Sequence, residues 1–410
     1  MSNVVGDVAW DAMLKELYPP GLPQDLMLRN HPFMSLVPKD DNATGEYMVI
    51  PVIYDLPPGR SADPAQVFNS TTGPVDSSKH TKFTPKLFED YAATYLNMLT
   101  VYKTANDRGS FVEARKMEID GILTQLGNSL AHALFRDGTG AVGQVNSAVA
   151  STTITLTTRS DAKFFVVNGQ YALQTGPTPG GALRNGGNFA TVAKVDEDAG
   201  IITFTANLSA SIAAAAIGDW FVAVGDTNDK VTGLAGWIPL ASPSATLFFG
   251  VDRTVHPTRL AGSRLDQPSV PAEDTLTELA EIMFERGARP DRCFVSPRQF
   301  SKIAKRLNAK VEYDNAGGEA HFSFSTVVVH TSAGAVRLTP DPDCPDNLGY
   351  VLEMKHWRLK HLLDLPHIVM DDGVRALRRS GSDSIEIRAR YYAQLVCYKP
   401  GAQGVFSCSL

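Results

Sequence analysis

SFVEARKMEIDGILTQLGNSLAHALFRDG, residues 110–138, is the stretch that organises the rest of the chain. Ser110 followed three residues later by Glu113 is a capping box, in which the hydroxyl and the carboxylate each satisfy an orphan amide of a first helical turn. Apolar residues then recur at Ile119, Ile122, Leu123, Leu126, Leu130, Leu134 and Phe135, spacings of three, four and seven that lay one stripe along a helix. Gly121 and Gly127 lower the local propensity, so the stripe carries the prediction. Gly138 supplies a C-terminal stop. From Ser110 to Asp137 the helix would run roughly 42 Å at 1.5 Å per residue. Its other face is polar, with Arg115, Lys116, Asp120, Gln125 and Asn128, so it is expected to lie across a surface and pack on one side.

Upstream of this helix, the chain reads as limbs. Residues 1–45 have little apolar content of their own to bury. A short amphipathic helix is expected at Asp7–Tyr18, ended by Pro19, Pro20 and Gly21, and the pieces after it are broken by Pro23, Pro32 and Pro38. An arm of this kind needs a surface to lie on. YMVIPVIY (47–54) reads as a strand and Lys82–Met98 as a second, weaker β pattern. Between them, Asp55–Ser78 is rich in Pro, Gly, Ser, Asp and Thr and far exceeds the roughly two- to five-residue loop of a compact hairpin. An extended, projecting hairpin is the expectation.

Downstream, residues 141–230 change character. TTITLT (152–157), a short apolar run at Phe164–Val167, the turn dipeptides Asn168-Gly169 and Asn185-Gly186, a strand–turn–strand over Thr191–Thr205 and WFVAV (220–224) predict a small β-rich sandwich or barrel. From Val231 the pattern is mixed α/β. Helices are expected at Thr275–Arg286 and from the Ser296-Pro297 start signal through Leu307. Strands are expected at Cys293–Val295, Ser323–His330, Leu348–Met354, Trp357–Leu362 and Ser384–Tyr398, followed by a Pro-Gly turn and a short tail.

Composition sets outer bounds. The 410 residues suffice for two or three domains, and 43% hydrophobic with 20% charged residues is a globular balance. A net charge of −6 argues against a dedicated polyanion binder, which needs clustered cations. No stretch approaches the ~20 continuous apolar residues of a membrane span, and the N-terminus has no secretory pattern, so no membrane partner is expected. Cys293, Cys344, Cys397 and Cys408 form no CxxC pair and are too sparse for a disulfide scaffold; a reducing compartment is expected.

Catalytic constellations are absent from the sequence. Gly138, Gly140 and Gly143 match G-x-G-x-x-G, but after a helix, where a dinucleotide fingerprint must follow a strand; a helix stop and linker is the better reading. There is no phosphate-cradling loop, no H-E-x-x-H and no G-x-S-x-G. His356, His361 and His367 fit no zinc spacing. Asp341, Asp343 and Asp346, interleaved with Pro340, Pro342 and Pro345, suit a rigid turn better than a calcium site. Arg375, Arg378, Arg379, Arg388 and Arg390 are broken up by Asp371, Asp372, Asp383 and Glu386; a nucleic-acid patch would interleave such cations with aromatics, and a subunit contact with complementary charges is as good a reading. The sequons at Asn42, Asn69 and Asn207 carry no meaning without a secretion signal. No catalytic, cofactor-binding or metal-ligating residue, no cofactor and no enzyme activity is therefore expected.

An arm without a core, a projecting hairpin and a one-sided helix each expose more surface than a solitary chain tolerates, which argues for a many-copy assembly. In this order the parts resemble the tailed-phage major capsid proteins of the Hong Kong 97-type fold. FFGVDRT (248–254) pivoting on Gly250, GARPDRCFVSPRQF (287–300), PDCPDNLGYVLEM (342–354) and SIEIRARYYAQLVCYKPGAQGVF (384–406) are similar to that family as well.

The resemblance implies an α+β fold with an arm at 1–45, an E-loop hairpin at 46–100, a spine helix of the peripheral domain at 101–140, an inserted β-rich domain at 141–230, a peripheral connection at 231–273, an axial domain at 274–346 and peripheral strands with the C-terminus at 347–410. It implies hexamers and pentamers closing into an icosahedral shell around packaged double-stranded DNA that is held without sequence specificity. A separate scaffolding protein or none, a portal protein and optional decoration proteins are the implied partners, with assembly in the host bacterial cytoplasm and a final place in the virion. Some relatives cross-link through lysine and asparagine; Lys79, Lys82 and Asn69 lie in or beside the E-loop, as in any polar loop, and no cross-link is expected. The rival readings are a tail or decoration protein, favoured by the β-rich stretch, and an enzyme with an unrecognised site.

Overall fold

The computed structural model describes residues 31–41, 48–57, 59–64, 67, 77–104, 114–176, 181–307, 312–314, 326–363, 365–369, 377–379 and 381–409. Three larger sheets and one two-stranded hairpin carry the architecture.

The first sheet is built on the longest strand, Ser384–Cys397. It pairs antiparallel with Phe88–Asn97 over ten residues, from Ser384 opposite Asn97 to Ala393 opposite Phe88. Trp357–His361 pairs with its C-terminal end, and Lys39–Asp40 adds in parallel to that strand. Period-two alternation sets the two faces. Ile385, Ile387, Ala389, Tyr391 and Ala393 are buried. They lie in one core with Ile122, Leu126, Leu130 and Leu134 of the long helix. Burying each of these aliphatic side chains stabilises the fold by roughly 1.5–3 kcal/mol.

The predicted stripe is thus the packing seam, and Lys116 and Asp120 are exposed as expected. The helix is described from Ala114 to Ala133. The capping pair Ser110 and Glu113 and the helix expected at Asp7–Tyr18 lie outside the described residues. At its C-terminal end the helix stops earlier than expected. Phe135 and Arg136 donate to the carbonyls of His132 and Ala133, the tighter i→i−3 pattern, and Gly138 follows at φ +91°.

The second sheet has seven strands, in the order Ser263–Leu265, Gly404–Ser407, Leu348–Leu352, Arg292–Val295, Gly334–Pro340, Thr326–Thr331, Glu312–Asp314. Helices Ala272–Glu285 and Pro297–Leu307 cover it through Leu276, Leu279, Met283 and Ile303. The C-terminus corrects the sequence reading: it is no mere tail. Gly404–Ser407 is a fully buried strand between Ser263–Leu265 and Leu348–Leu352, so the sheet draws in strands from outside 274–346. The close fit needs Gly349, where a Cβ would come within 2.2 Å of the Phe406 ring. Gly334–Pro340 was also unmarked in the sequence, because its apolar residues are interrupted by Arg337 and Thr339.

The third sheet runs Ala141–Gln144, Trp220–Ala223, Gln170–Gln174, Phe189–Asp196, Ile201–Phe204, Thr153–Thr155, all of it inside the β-rich stretch. It has its own core, with Ile154, Leu173, Val192, Ile202 and Phe221 inaccessible. The apolar run at 164–167 is not a strand: Phe164 closes a 3-10 turn, and Val166 and Val167 are half exposed.

Candidate assembly interface

Each limb has a buried root. At the hairpin, Ile50–Asp55 pairs antiparallel with Lys79–Phe83. Phe83 is inaccessible and packs edge-on against Trp237 and Phe248, with centroids 5.3 and 6.3 Å away. The FFGVDRT turn is the clamp. Phe249 and Gly250 take positive φ of +46° and +84°, which folds the chain so that the Phe249 carbonyl accepts from the Thr84 amide at 2.9 Å. Arg253 lies 3.9 Å over the Phe248 ring and donates to the Gly236 carbonyl at 2.8 Å. Burial pulls its guanidinium down to about 10. Away from this root the same hairpin exposes Ile53 (71%) and Leu56 (73%). Among the described residues, apolar side chains so open on a two-stranded ribbon find nothing of their own chain to pack on.

The arm root is the short helix Pro32–Leu36. Phe33 is inaccessible, 5.2 Å from the Phe135 ring and 5.0 Å from that of Phe294. The Phe33 amide donates to Asp341 at 2.8 Å. His31 meets Asp343 at 2.6 Å through Nδ1 and Asn128 at 2.8 Å through Nε2. Burial acts to lower the His31 pKa, but Asp343 and the other partners outweigh it and the net shift is upward. Burial, reinforced by the neighbouring Asp343 charge, lifts Asp341 to about 6. The 341–346 turn is therefore the predicted rigid turn, held by an Asp343 amide to Asp341 bond of 2.9 Å, and it grips the arm.

The third root belongs to the β-rich unit, whose two connections run side by side. Asn228 and Lys230 amides donate to the carbonyls of Thr139 and Gly138, and Gly233 and Leu234 amides to those of Arg136 and Leu134. Lys230 reaches Asp90 at 2.6 Å and Asp226 at 3.1 Å, while Tyr391 and Ser129 hydroxyls also donate to Asp90. Burial lowers the Lys230 pKa but the two carboxylates raise it more, so the net is upward. Arg136 pairs with Asp161 at 2.7 Å, and Lys163 donates to the Pro342 carbonyl, tying this unit to both the helix and the arm-gripping turn. A cleft of about 750 Å³ separates the unit from the helix and the first sheet.

The residues singled out from the sequence sort differently. His356 lies 3.6 Å from Glu353, and His361 bonds the Leu363 carbonyl. Among the described residues no group of three His, Cys, Asp or Glu side chains is placed to hold a metal ion. The four cysteines are free and buried, and burial pushes their thiols up, Cys408 to about 11. Asn69 and Arg375 lie outside the described residues. His31, Asp90, Asp226 and Lys230 were not foreseen, since their partners are up to 312 residues away in sequence.

Residues 185–379 match the family model described as SU10 major capsid protein. In fold, the chain is similar to the capsid asymmetric unit of cyanophage A-1(L), with a TM-score of 0.56 at 9% identity, over 95% of this chain and 96% of that one. Similar capsid chains come from Myoviridae phage XM1 (TM-score 0.47, 7% identity, 96% and 97% covered) and cyanophage P-SCSP1u (0.45, 11%, 100% and 97%). Comparison with curated protein sequences gives no match. The family model spans just under half of the chain, and the fold shared with the cyanophage A-1(L) capsid chain extends over nearly the whole length.

Proposed function

We propose that copies of this chain assemble as hexamers and pentamers into an icosahedral shell around packaged double-stranded DNA. The observation that carries this reading is the hairpin. Its root is locked into the core at Phe83, and its apolar side chains Ile53 and Leu56 stand open, which suits a limb made to lie on a neighbouring copy. Residues 1–45 are the arm that ties capsomers, 46–100 the E-loop hairpin and 101–140 the spine helix. Residues 141–230 are an inserted domain, a reading supported by the paired connections at 138–141 and 226–234. Segment 231–273 connects back to the peripheral domain. Residues 274–346 form the axial domain around the capsomer centre, with help from Ser263–Leu265, Leu348–Leu352 and Gly404–Ser407. Residues 347–410 complete the peripheral domain at the local threefold axes.

A separate scaffolding protein, a portal and decoration proteins are the partners in this scheme, with assembly in the host cytoplasm. Shell stability then adds over many weak symmetric contacts. Electron microscopy of the purified protein, with and without a scaffolding partner, tests the proposal. Closed shells are expected from the full chain, and deletion of residues 55–78 is expected to leave a folded subunit that forms none. Tubes or open rings from the full chain, or normal shells from the deletion, would overturn it.

A further inference from the structure

The two helices that cover the seven-stranded sheet carry opposite charge. Ala272–Glu285 holds five acids, Glu273, Asp274, Glu278, Glu281 and Glu285, and no Lys or Arg. Pro297–Leu307 holds Arg298, Lys302, Lys305 and Arg306, and no Asp or Glu. Helical spacing gathers each set into a stripe. Asp274, Glu278, Glu281 and Glu285 follow at steps of four, three and four, all exposed, on the side away from the buried Leu276, Leu279 and Met283. Arg298, Lys302 and Lys305 follow at steps of four and three, away from the buried Gln299 and Ile303, with Arg298 and Lys305 exposed.

The stability of the subunit does not account for these stripes. Like charges three and four residues apart on a helix repel, so each stripe weakens the helix that bears it. The helix dipole favours acids at the start and cations at the end. Glu273, Asp274, Lys305 and Arg306 obey that rule, but Glu285 ends its helix and Arg298 begins its own. Neutralisation within the chain is slight. Arg306 pairs with Glu273 at 3.0 Å across the two helices, and Glu278 accepts from Gln267 at 3.1 Å. Arg286, next to Glu285, is turned to the Ser263 hydroxyl at 2.7 Å. Among the described residues, Asp274, Glu281, Glu285, Arg298, Lys302 and Lys305 form no ion pair. Phe284, beside the last two acids, is 46% exposed.

We infer that the two stripes are the two halves of one contact between copies of this chain, the acidic helix of one copy lying against the basic helix of another. This rests on the container reading above and deepens it, by naming two surfaces that meet and the charge that selects them. Each copy offers one stripe of each sign, so two unaltered copies are complementary, whereas a partner of a single sign would cover only one stripe. The Arg306–Glu273 pair shows the same two helices already meeting by charge inside one copy. Phe284 gives the contact an apolar centre within a charged rim. Exposed ion pairs hold weakly one by one, so the contact gains from repetition. Its larger effect is to reject acid-on-acid and base-on-base approaches.

The test follows association of the full-length chain by light scattering over a concentration series, with electron microscopy of the products. Three variants are compared with the wild type: E281K/E285K, R298E/K305E, and all four substitutions in one chain. The first two make both helices of one sign, and each is expected to raise the concentration at which association begins by about tenfold or more. They move the net charge in opposite directions, so a shared loss is not an effect of net charge. The fourfold variant keeps the net charge of −6, exchanges the signs of the two helices, and is expected to associate within about threefold of the wild type. That rescue also shows that the substituted helices fold. An equimolar mixture of the two double variants is expected to associate where neither does alone. Double variants that associate like the wild type overturn the inference, and so does a fourfold variant as impaired as they are, because the stripes then do not meet each other. Closed shells that form regardless of the reversals leave the container reading standing without this contact. Small oligomers that never close, yet show the loss and the rescue, leave the contact standing without the container. A wild-type chain that stays monomeric at every concentration overturns both.

Discussion

The arm root and the stalk of the β-rich unit are both buried charge clusters, yet they are fastened with different chemistry. The stalk uses a lysine between two carboxylates, Lys230 with Asp90 and Asp226. The arm root uses a histidine against a pair of aspartates, His31 with Asp343 and the nearby Asp341. A lysine whose pKa is raised above 10.5 stays charged across the whole neutral range. Histidine and a carboxyl at about 6 do not. One joint is therefore permanent and the other responds to pH near neutrality. The segment around Phe33 is the one with the adjustable fastening.

The harshest way to break this comparison is Lys230→Met. It leaves Asp90 and Asp226 buried without their cation, and removing one partner of a buried pair costs about 3–5 kcal/mol. Urea unfolding should show that loss at all pH values between 6 and 9. A loss below ~1 kcal/mol would mean that the Tyr391 and Ser129 hydroxyls alone satisfy Asp90.

Next in size is Phe33→Ala, which empties the wedge between Phe135 and Phe294 and should cost about 3 kcal/mol. The same experiment should expose the arm root to limited proteolysis near residue 31 and leave the 141–230 region protected. Equal cleavage of both regions would show that arm and stalk are not separate fastenings.

The pH dependence sharpens the contrast. Both His31 and Asp341 have folded pKa values above their unfolded values of 6.5 and 3.8, so the folded state binds more protons than the unfolded state. For His31, the contribution is complete below pH 6.5 and fades as pH rises through the raised folded value. For Asp341, the fold gains as pH falls from above 6 toward 3.8. Both push the same way: the arm root tightens on going from pH 8.5 to 6. His31→Gln should cost about 1–2 kcal/mol at pH 6 and less than half of that at pH 8.5, read from paired denaturation curves. A difference independent of pH would show that His31 acts by shape and hydrogen bonding alone.

Much of this molecule was legible before any coordinates, and the reasons are local. The stripe from Ile119 to Leu134 repeats at helical spacing, and the Ser296-Pro297 start and the Gly138 stop are short-range signals. The joints were not legible. His31 and Asp343 are 312 residues apart, and Asp90 and Lys230 are 140 apart, so no window of sequence contains either pair. Gly404–Ser407 was read as tail because a four-residue strand buried on both faces has no alternation to betray it. Arg388 and Arg390 looked diluted by acids in the linear order, and only pairing with Phe88–Asn97 puts tyrosines among them.

The smallest effect on the subunit should come from the hairpin's exposed side chains. Ile53 and Leu56 are 71% and 73% exposed, so I53S/L56S removes almost no buried area, and surface changes of this kind fall within about ±0.5 kcal/mol. The fold around Phe83 and Trp237 should therefore be untouched, with the same near-ultraviolet circular dichroism and the same urea midpoint. What should change is association. If these two side chains bury themselves only against another copy, the variant stays dispersed at concentrations where the wild-type chain assembles, which light scattering reads directly. A variant that is destabilised by more than ~1 kcal/mol would show instead that the hairpin packs on its own body. A variant that is neither destabilised nor impaired in assembly would leave Ile53 and Leu56 without a role, and the distinction between a locked root and a sticky limb would go with it.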